Sequence, residues 1–374
     1  MGPDRVRKRK TSGNKMAELA RRLRVSPSTV SRALAGHSRI SEPTRRRVQE
    51  MAASLGYRVD ASGRKLRTGL THTIAVVIPL AHATRQRLSD PYFLEMLGAI
   101  ADELTARNYN LLLTKTTQPP GEWISSMIAG RHADAAIVIG QSLYHAELNE
   151  AAASSGVAMV VWGAQLPGQR YVTVGSDNEQ AAETVTAHLI SQGCRRIVFL
   201  GDPAVPEVQC RLAGYVKALK AAGLPRDSLL EVAVRFGSDA AYDGVSALLG
   251  AKAKFDGIFA CSDVIAMSAM RALTERGLRI PADVAVAGFD DIPLASYANP
   301  PLTTVRQDYL AGARLLVDKV LRALAGESVT SAVIPAELVV RSSSLRRHHQ
   351  RVSPDSLVAT GSARPRRAKT RTLD

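Results

Sequence analysis

Val25-Ser-Pro-Ser-Thr-Val-Ser-Arg-Ala-Leu34 has the form of a short helix that carries its own start signal. Ser26 stands at the N-cap and Pro27 at the first helical position, where a missing N–H costs nothing. Val30, Ala33 and Leu34 then fall on one face at helical spacing, while Ser28, Thr29 and Arg32 point the other way. Short hydroxyl side chains and a guanidinium on an outer face suit the edges of bases and the phosphates of a major groove. Met16, Leu19, Ala20 and Leu23 mark an amphipathic helix before this one. Val48, Met51 and Leu55 mark another after it, capped by Ser41 and closed by Gly56. Three short helices with one polar, basic outer face make a helix-turn-helix headpiece.

A plain helical bundle with a solvated charged face would share this pattern, and the distribution of charge decides between them. Residues 1–70 hold 18 Lys+Arg against 5 Asp+Glu, and residues 346–374 hold 8 against 2. The stretch between them holds 23 against 27. Positive charge is concentrated at the two ends, where a polyanion can be bound, and the mildly acidic middle needs none.

Working outward, residues 1–14 read as a basic disordered arm and 15–57 as the helix-turn-helix domain. Residues 58–70 form a linker with Arg58, Arg64, Lys65 and Arg67 around the isolated apolar Leu66, and with Gly63, a poor helix former. Two readings are open for it. It is a flexible tether, or a segment that becomes helical only on DNA and wedges Leu66 into the minor groove. From Thr73 the pattern changes. Ile74–Ile78, Leu111–Leu113, Ala135–Ile139 and Val157–Val161 are short apolar strand runs separated by helical patterns. A second set opens at Tyr171–Gly175 and continues through Arg196–Leu200, Val232–Phe236, Gly257–Ala260 and Val284–Gly288. A long helix over Asp308–Ala325 and a last strand over Ser331–Val340 complete it. This alternation implies parallel sheets covered on both faces. Two such halves suggest a cleft, with ligand at the carboxyl ends of the strands. Residues 71–345 are thus expected to be one two-lobed effector-binding and dimerisation domain, and 346–374 a basic disordered tail.

The chain is long enough for more than one core, and 45% hydrophobic with 22% charged residues is a soluble composition. It contains no run of about 18 apolar residues, so no membrane span is expected. The basic N-terminus leads into an amphipathic helix rather than a signal-peptide core, which points to the cytoplasm. Cys194, Cys210 and Cys261 are far apart in sequence and read as reduced, with no metal site and no cofactor expected.

Val25-Ser26 with Thr29-Val-Ser-Arg32, Ile40-Ser-Glu-Pro-Thr-Arg45, Leu55-Gly-Tyr57 and Leu66-Arg-Thr-Gly69 form an ordered set of motifs. It continues with Val174-Gly-Ser-Asp-Asn178, Arg211-Leu-Ala-Gly-Tyr215, Ser262-Asp263, Pro281-Ala-Asp-Val284, Gly288-Phe-Asp-Asp-Ile292 and Pro301-Leu-Thr-Thr-Val-Arg-Gln307. Through them the chain resembles the lactose-repressor (LacI/GalR) family of bacterial transcription regulators over residues 16–345. The resemblance implies an all-α helix-turn-helix headpiece, a hinge helix, and an α/β two-lobed effector domain like the type I periplasmic binding proteins. It implies a homodimer on near-palindromic operator DNA, and a small sugar-like effector in the cleft whose binding changes operator affinity.

Residue by residue, Pro27 and Ser28 match the positions where the family varies its base readers. Thr29, Ser31 and Arg32 match the more constant DNA-facing ones. Leu66 matches the intercalating leucine, with Arg64 beside it in the hinge. Arg211 and Asp290 match the charged pair that grips effector hydroxyls; an ordinary ion pair is the competing reading. Tyr92, Phe93, Gln141, Ser262 and Gln307 are further cleft candidates. Asp239 lies near where many relatives place a stacking aromatic, and Gly163 where many place an acid. Trp162 either supplies stacking or is a core tryptophan. Arg24 replaces the turn glycine, so the headpiece turn is made without an easy positive-φ residue.

Two other function classes fit the residues less well. A sugar-binding transport component lacks the signal peptide it would need, and the basic headpiece has no place in it. An enzyme finds no GxxxxGK[ST], HExxH or GxSxG motif and no paired-cysteine metal spacing, so no catalytic residue is assigned.

Overall fold

The computed structural model describes residues 12–34, 39–55, 70–79, 87–118, 120–141, 143–236 and 238–346. Most of the arm and linker and nearly all of the tail, with Gly56, Arg64 and Leu66, lie outside the described residues.

The headpiece is three helices, α1 (Ser12–Leu23), α2 (Pro27–Leu34) and α3 (Glu42–Ser54). Helix α1 begins inside the stretch expected to be an unstructured arm, since a first turn needs no apolar periodicity of its own. Leu19, Ala20 and Leu23 of α1, Val30 and Ala33 of α2, and Val48 and Ala52 of α3 form one buried cluster. These are the positions the 3.6-residue period selects.

The rest of the chain builds two parallel sheets. Strand β1 (Thr73–Pro79) leads into α4 (Pro91–Ala106) and β2 (Asn110–Thr116). Then follow α5 (Pro120–Ala129), β3 (Ala135–Ile139), α6 (His145–Ser154), β4 (Met159–Trp162), β5 (Val172–Ser176) and α7 (Asn178–Ser191). After β6 (Ile197–Leu200) come α8 (Pro206–Ala221), β7 (Glu231–Val232), α9 (Ser238–Gly250), β8 (Gly257–Ala260) and α10 (Asp263–Glu275). The chain ends through β9 (Ala285–Ala287), α11 (Pro293–Tyr297), β10 (Thr304–Arg306), α12 (Tyr309–Leu324), β11 (Ala332–Ile334) and β12 (Glu337–Val339). The first sheet has the order β11-β5-β4-β3-β1-β2 and the second β7-β6-β8-β9, with β10 and β12 as a separate pair. They belong to two compact units: Met1–Ala182, Asp202–Gly214 and Gln307–Glu337 in one, and Glu183–Gly201, Tyr215–Arg306 and Leu338–Asp374 in the other.

In the first unit the period-2 alternation of the strands sorts their side chains onto two faces. Ile74, Val76 and Ile78 of β1, with Ile137 of β3 and Val160 of β4, pack under Met96 and Ile100 of α4 and Leu316 and Val320 of α12. Their neighbours Ala75, Val77, Val138 and Val161 pack on the other face, under Trp123 and Ile124 of α5 and Leu148 of α6. A strand covered on both faces can be apolar throughout, which is why β1 shows no polar alternation. In the second unit Phe199 of β6 lies edge-on to Phe259 of β8, at 5.6 Å between centroids. Tyr215 of α8 is buried beside them and donates its hydroxyl hydrogen to Ile197 O at 2.7 Å.

Three expected strands differ in the structure. The strand at Tyr171–Gly175, read as the opening of the second set, belongs to the first sheet, between β4 and β11. The expected strand at Ser331–Val340 is two strands in different sheets, broken at Pro335, which has no N–H to continue a ladder. The strand expected at Val232–Phe236 is only the two residues of β7. Between β2 and β3 the helical stretch is α5, which Pro120 starts at a position where proline is tolerated.

Candidate functional site

Helix α2 is the candidate nucleic-acid reader. The Ser26 hydroxyl accepts from Thr29 N at 3.1 Å and lies 2.7 Å from Ser28 Oγ and 2.9 Å from Thr29 Oγ1, so the cap expected from sequence is present. Pro27, Ser28 and Arg32 are exposed and Thr29 and Ser31 half-buried, opposite the fully buried Val30 and Ala33. The turn between α1 and α2 is made by Arg24 itself, at φ +52°. In α3, Ser41 stands at the N-cap, but its hydroxyl meets Thr44 Oγ1 at 2.9 Å and not a backbone N–H.

The second candidate site lies at the carboxyl ends of the first unit's strands. Ser176 ends β5 and donates from Oγ to Gln307 Oε1 at 2.7 Å. Ser176 O accepts from Asn178 Nδ2 at 2.9 Å, and Asn178 Oδ1 accepts from Arg211 Nε at 2.8 Å. Gln307, Ser176, Asn178 and Arg211 thus form one continuous buried chain. It fixes the guanidinium plane on the second turn of α8. Gln141, just past β3, is fully buried and spends its amide on its own surroundings. Its Nε2 donates to Ala164 O at 2.6 Å and to Tyr171 Oη at 3.0 Å, and its Oε1 accepts from Ala164 N at 3.0 Å. That amide clamps the loop after β4. Burial pushes the Tyr171 hydroxyl up to about 12, so the phenol stays neutral and holds its bond.

Glu207, on the first turn of α8, lies outside every motif of the sequence. Its Oε1 takes the Gln141 N–H at 3.4 Å, and its Oε2 is buried with no hydrogen-bond partner among the described residues. Burial pushes its carboxyl above the usual range, and its own backbone N–H and then Arg211 only partly oppose that. In sequence Glu207 and Arg211 are an unremarkable acid–base pair one helical turn apart.

Tyr92 is half-buried at the start of α4, where Asp90 caps the helix by accepting from its N–H at 3.1 Å. Its ring stands edge-on to Tyr309, 5.9 Å away. Phe93 and Trp162 belong instead to the core under α4 and α12, 4% and 3% exposed. The Trp162 ring fills the space over Gly312, where a Cβ would come within 2.5 Å of it. An indole or phenyl face pressed into the core cannot stack on a ligand, so the expected effector role does not fit Phe93 or Trp162.

In the second unit, Ser262 caps α10 by accepting from Ile265 N at 3.3 Å, and Asp290 follows β9 at φ +120°. A non-glycine residue at that angle is strained and must be held. Asp290 N donates to Val305 O at 2.8 Å. Next to it Asp291 is clamped between Arg306 Nε and Arg341 Nη2, each at 2.7 Å. Asp263 completes the support: its Oδ2 accepts from Ile292 N at 2.9 Å and its Oδ1 from the Thr304 hydroxyl. A side chain at Gly288 would collide with that carboxylate. Burial, and then the neighbouring Asp290, holds the Asp263 carboxyl well above the usual range. Asp239 is exposed on the first turn of α9, beside Tyr242 and across a shallow groove from Arg271 of α10.

Comparison with known proteins places these features. Residues 15–60 match the family model for bacterial regulatory proteins of the lacI family, and residues 186–344 that for a periplasmic binding protein-like domain. The chain is 32% identical to the transcriptional regulator CelR of Thermobifida fusca over 85% of its own length and 95% of the relative's. It is 30% identical to the transcriptional repressor CytR of Escherichia coli K12, over 91% of its own length and 98% of the relative's. Among solved structures, a CelR–cellobiose complex matches with a TM-score of 0.66 at 28% identity, covering 90% of this chain and all of the other.

Proposed function

The chain belongs to the LacI family of bacterial regulatory proteins, and on that premise we propose that it represses a carbohydrate-utilisation operon under the control of a sugar. It is a DNA-binding transcriptional regulator whose similar relatives are regulators and repressors. It binds a near-palindromic operator as a homodimer, because each chain presents one α2 and a two-fold site needs two. Pro27, Ser28, Thr29, Ser31 and Arg32 face the DNA from α2, joined by Arg64 and Leu66 of the linker. The effector is a small sugar held by Arg211, with Tyr92, Gln307, Ser262, Asp290 and Asp239 as its further candidate residues; Gln141, its amide committed to Ala164 and Tyr171, supports the site from behind. The CelR–cellobiose complex makes a β-linked glucose disaccharide the first compound to try.

We assign the chain no catalysis and place it in the cytoplasm, where its DNA is. Among the described residues no helix is long and apolar enough to cross a membrane. One observation carries the reading: a basic headpiece with an exposed Ser28–Arg32 face stands on the same chain as a buried guanidinium held at the carboxyl end of a parallel sheet.

The test is a fluorescence-anisotropy titration on the DNA upstream of its own gene, at several salt concentrations, with and without cellobiose and other sugars. Saturable, sequence-selective binding that one sugar abolishes is the expected result. Weak binding to every DNA, collapsing uniformly with salt, would reduce the headpiece to a polyanion-binding domain. In the same assay Leu66→Ala is expected to weaken specific binding far more than nonspecific binding. Equal loss on both DNAs would end the wedge idea.

A further inference from the structure

Glu207 is the one carboxylate beside the Arg211 chain whose outer oxygen is buried and unmatched among the described residues. The side chain is held on both sides. Oε1 rests on the Gln141 N–H, and Gly163 leaves the room for it, since a Cβ there would stand 3.0 Å from Oε1 and 2.8 Å from the Gln141 amide oxygen. Oε2 is left with no donor, one helical turn before a guanidinium whose Nε is already committed to Asn178. A desolvated carboxylate oxygen without a partner is costly, and a ligand hydroxyl donated to it would remove that cost.

We propose that Glu207 is a binding residue of the effector site: its Oε2 accepts a hydrogen bond from a hydroxyl of a neutral polyhydroxylated ligand, and its charge excludes ligands that carry phosphate or carboxylate. This rests on the reading of the Arg211 cluster as the effector site. A vicinal diol suits the pair, because one hydroxyl donates to Glu207 and its neighbour accepts from Arg211. A phosphate or carboxylate in the same place would bring an anion against Glu207 inside a desolvated site, where like charges repel strongly.

The experiment is calorimetric titration of the full chain with cellobiose and other neutral sugars, and with glucose 6-phosphate and glucuronate as anionic counterparts. Wild type is expected to bind a neutral sugar and neither anion. Glu207→Gln, which keeps the shape and removes the charge, is expected to lose about tenfold in affinity for the neutral sugar and to narrow the preference over the anions. Circular dichroism reports whether the variant is folded. A wild type that binds only the anionic compounds overturns the proposal, as does a folded Glu207→Gln variant with unchanged affinity and selectivity. Arg211→Ala separates the two readings. If it binds sugar normally, the site itself is misplaced. If it loses binding while Glu207→Gln is indifferent, the site stands and Glu207 has no part in it.

Discussion

At the scale of single residues, two positions carry strain or burial that serves a neighbour. Arg24 takes φ +52° in the turn between α1 and α2, a conformation that costs a residue with a Cβ about 1 kcal/mol or more. Arg24→Gly is therefore expected to stabilise the headpiece by about 1 kcal/mol, partly offset by the glycine's freedom in the unfolded chain. Native-state hydrogen exchange checks it: the slowest amides of α1 and α2 should gain roughly fivefold in protection. Glu207 gives a prediction that needs no ligand. Its folded carboxyl is raised by burial, so the protonated form is favoured by folding. Its contribution to stability is then fully present below the unfolded value and lost as pH rises through the folded one. Without effector, Glu207→Gln should melt about 2–4 °C above wild type at neutral pH, and the gap should close toward pH 4. A constant gap at all pH values would mean that packing, not charge, sets the difference.

At the scale of elements, α2 and α8 show how one helical turn sorts roles. In α2 the Ser26 cap orders the first turn, and the side chains that leave the helix outward are the ones able to meet bases. Ser26→Ala should cost about 1 kcal/mol of headpiece stability and loosen the placement of Ser28 and Thr29, seen as weaker binding to every operator variant. Arg32→Ala should instead cost about 1–3 kcal/mol on the best operator and less on mismatched ones, if the guanidinium reads a base edge. A uniform loss across sequences would make it a phosphate contact. In α8, Glu207 and Arg211 fall on one face at the same spacing, and what separates them is their partners: Asn178 completes Arg211, and nothing among the described residues completes Glu207 Oε2. The segment after β9 works differently. Asp290 gains its geometry from elsewhere, through Asp263 behind it and the Arg306–Asp291–Arg341 clamp beside it.

At the scale of the whole molecule, charge is divided by segment, and each segment has a different task. Residues 346–374 carry 8 basic against 2 acidic residues, and they lie C-terminal to every strand and helix named here. Deleting them from residue 347 onward should reduce nonspecific DNA affinity and flatten its dependence on salt, while the ratio of specific to nonspecific binding stays within about twofold. A collapse of that ratio would mean that the tail takes part in reading the operator.

What the sequence determined by itself is whatever local periodicity and local hydrogen bonding decide. The Ser26 cap, the start of α2 at Pro27, the buried faces of three short helices and the all-apolar run of β1 depend only on residues a few positions apart. The ordered motifs added the family and the candidate residues Arg211, Gln307 and Asp290. Only the tertiary structure could decide which sheet the strand at 172–176 joins, and that 331–340 is divided between two sheets. A strand's pairing partner is a property of global packing, and its own residues read the same in either sheet. Side-chain fate is equally nonlocal. Trp162 is core because Gly312, far along the chain, leaves room for its ring, and Gln141 is a clamp because Ala164 and Tyr171 return to meet it. Glu207 shows the difference most plainly. Its spacing from Arg211 is visible in the sequence, but whether a carboxylate is solvated or buried without a partner depends on what the fold packs around it.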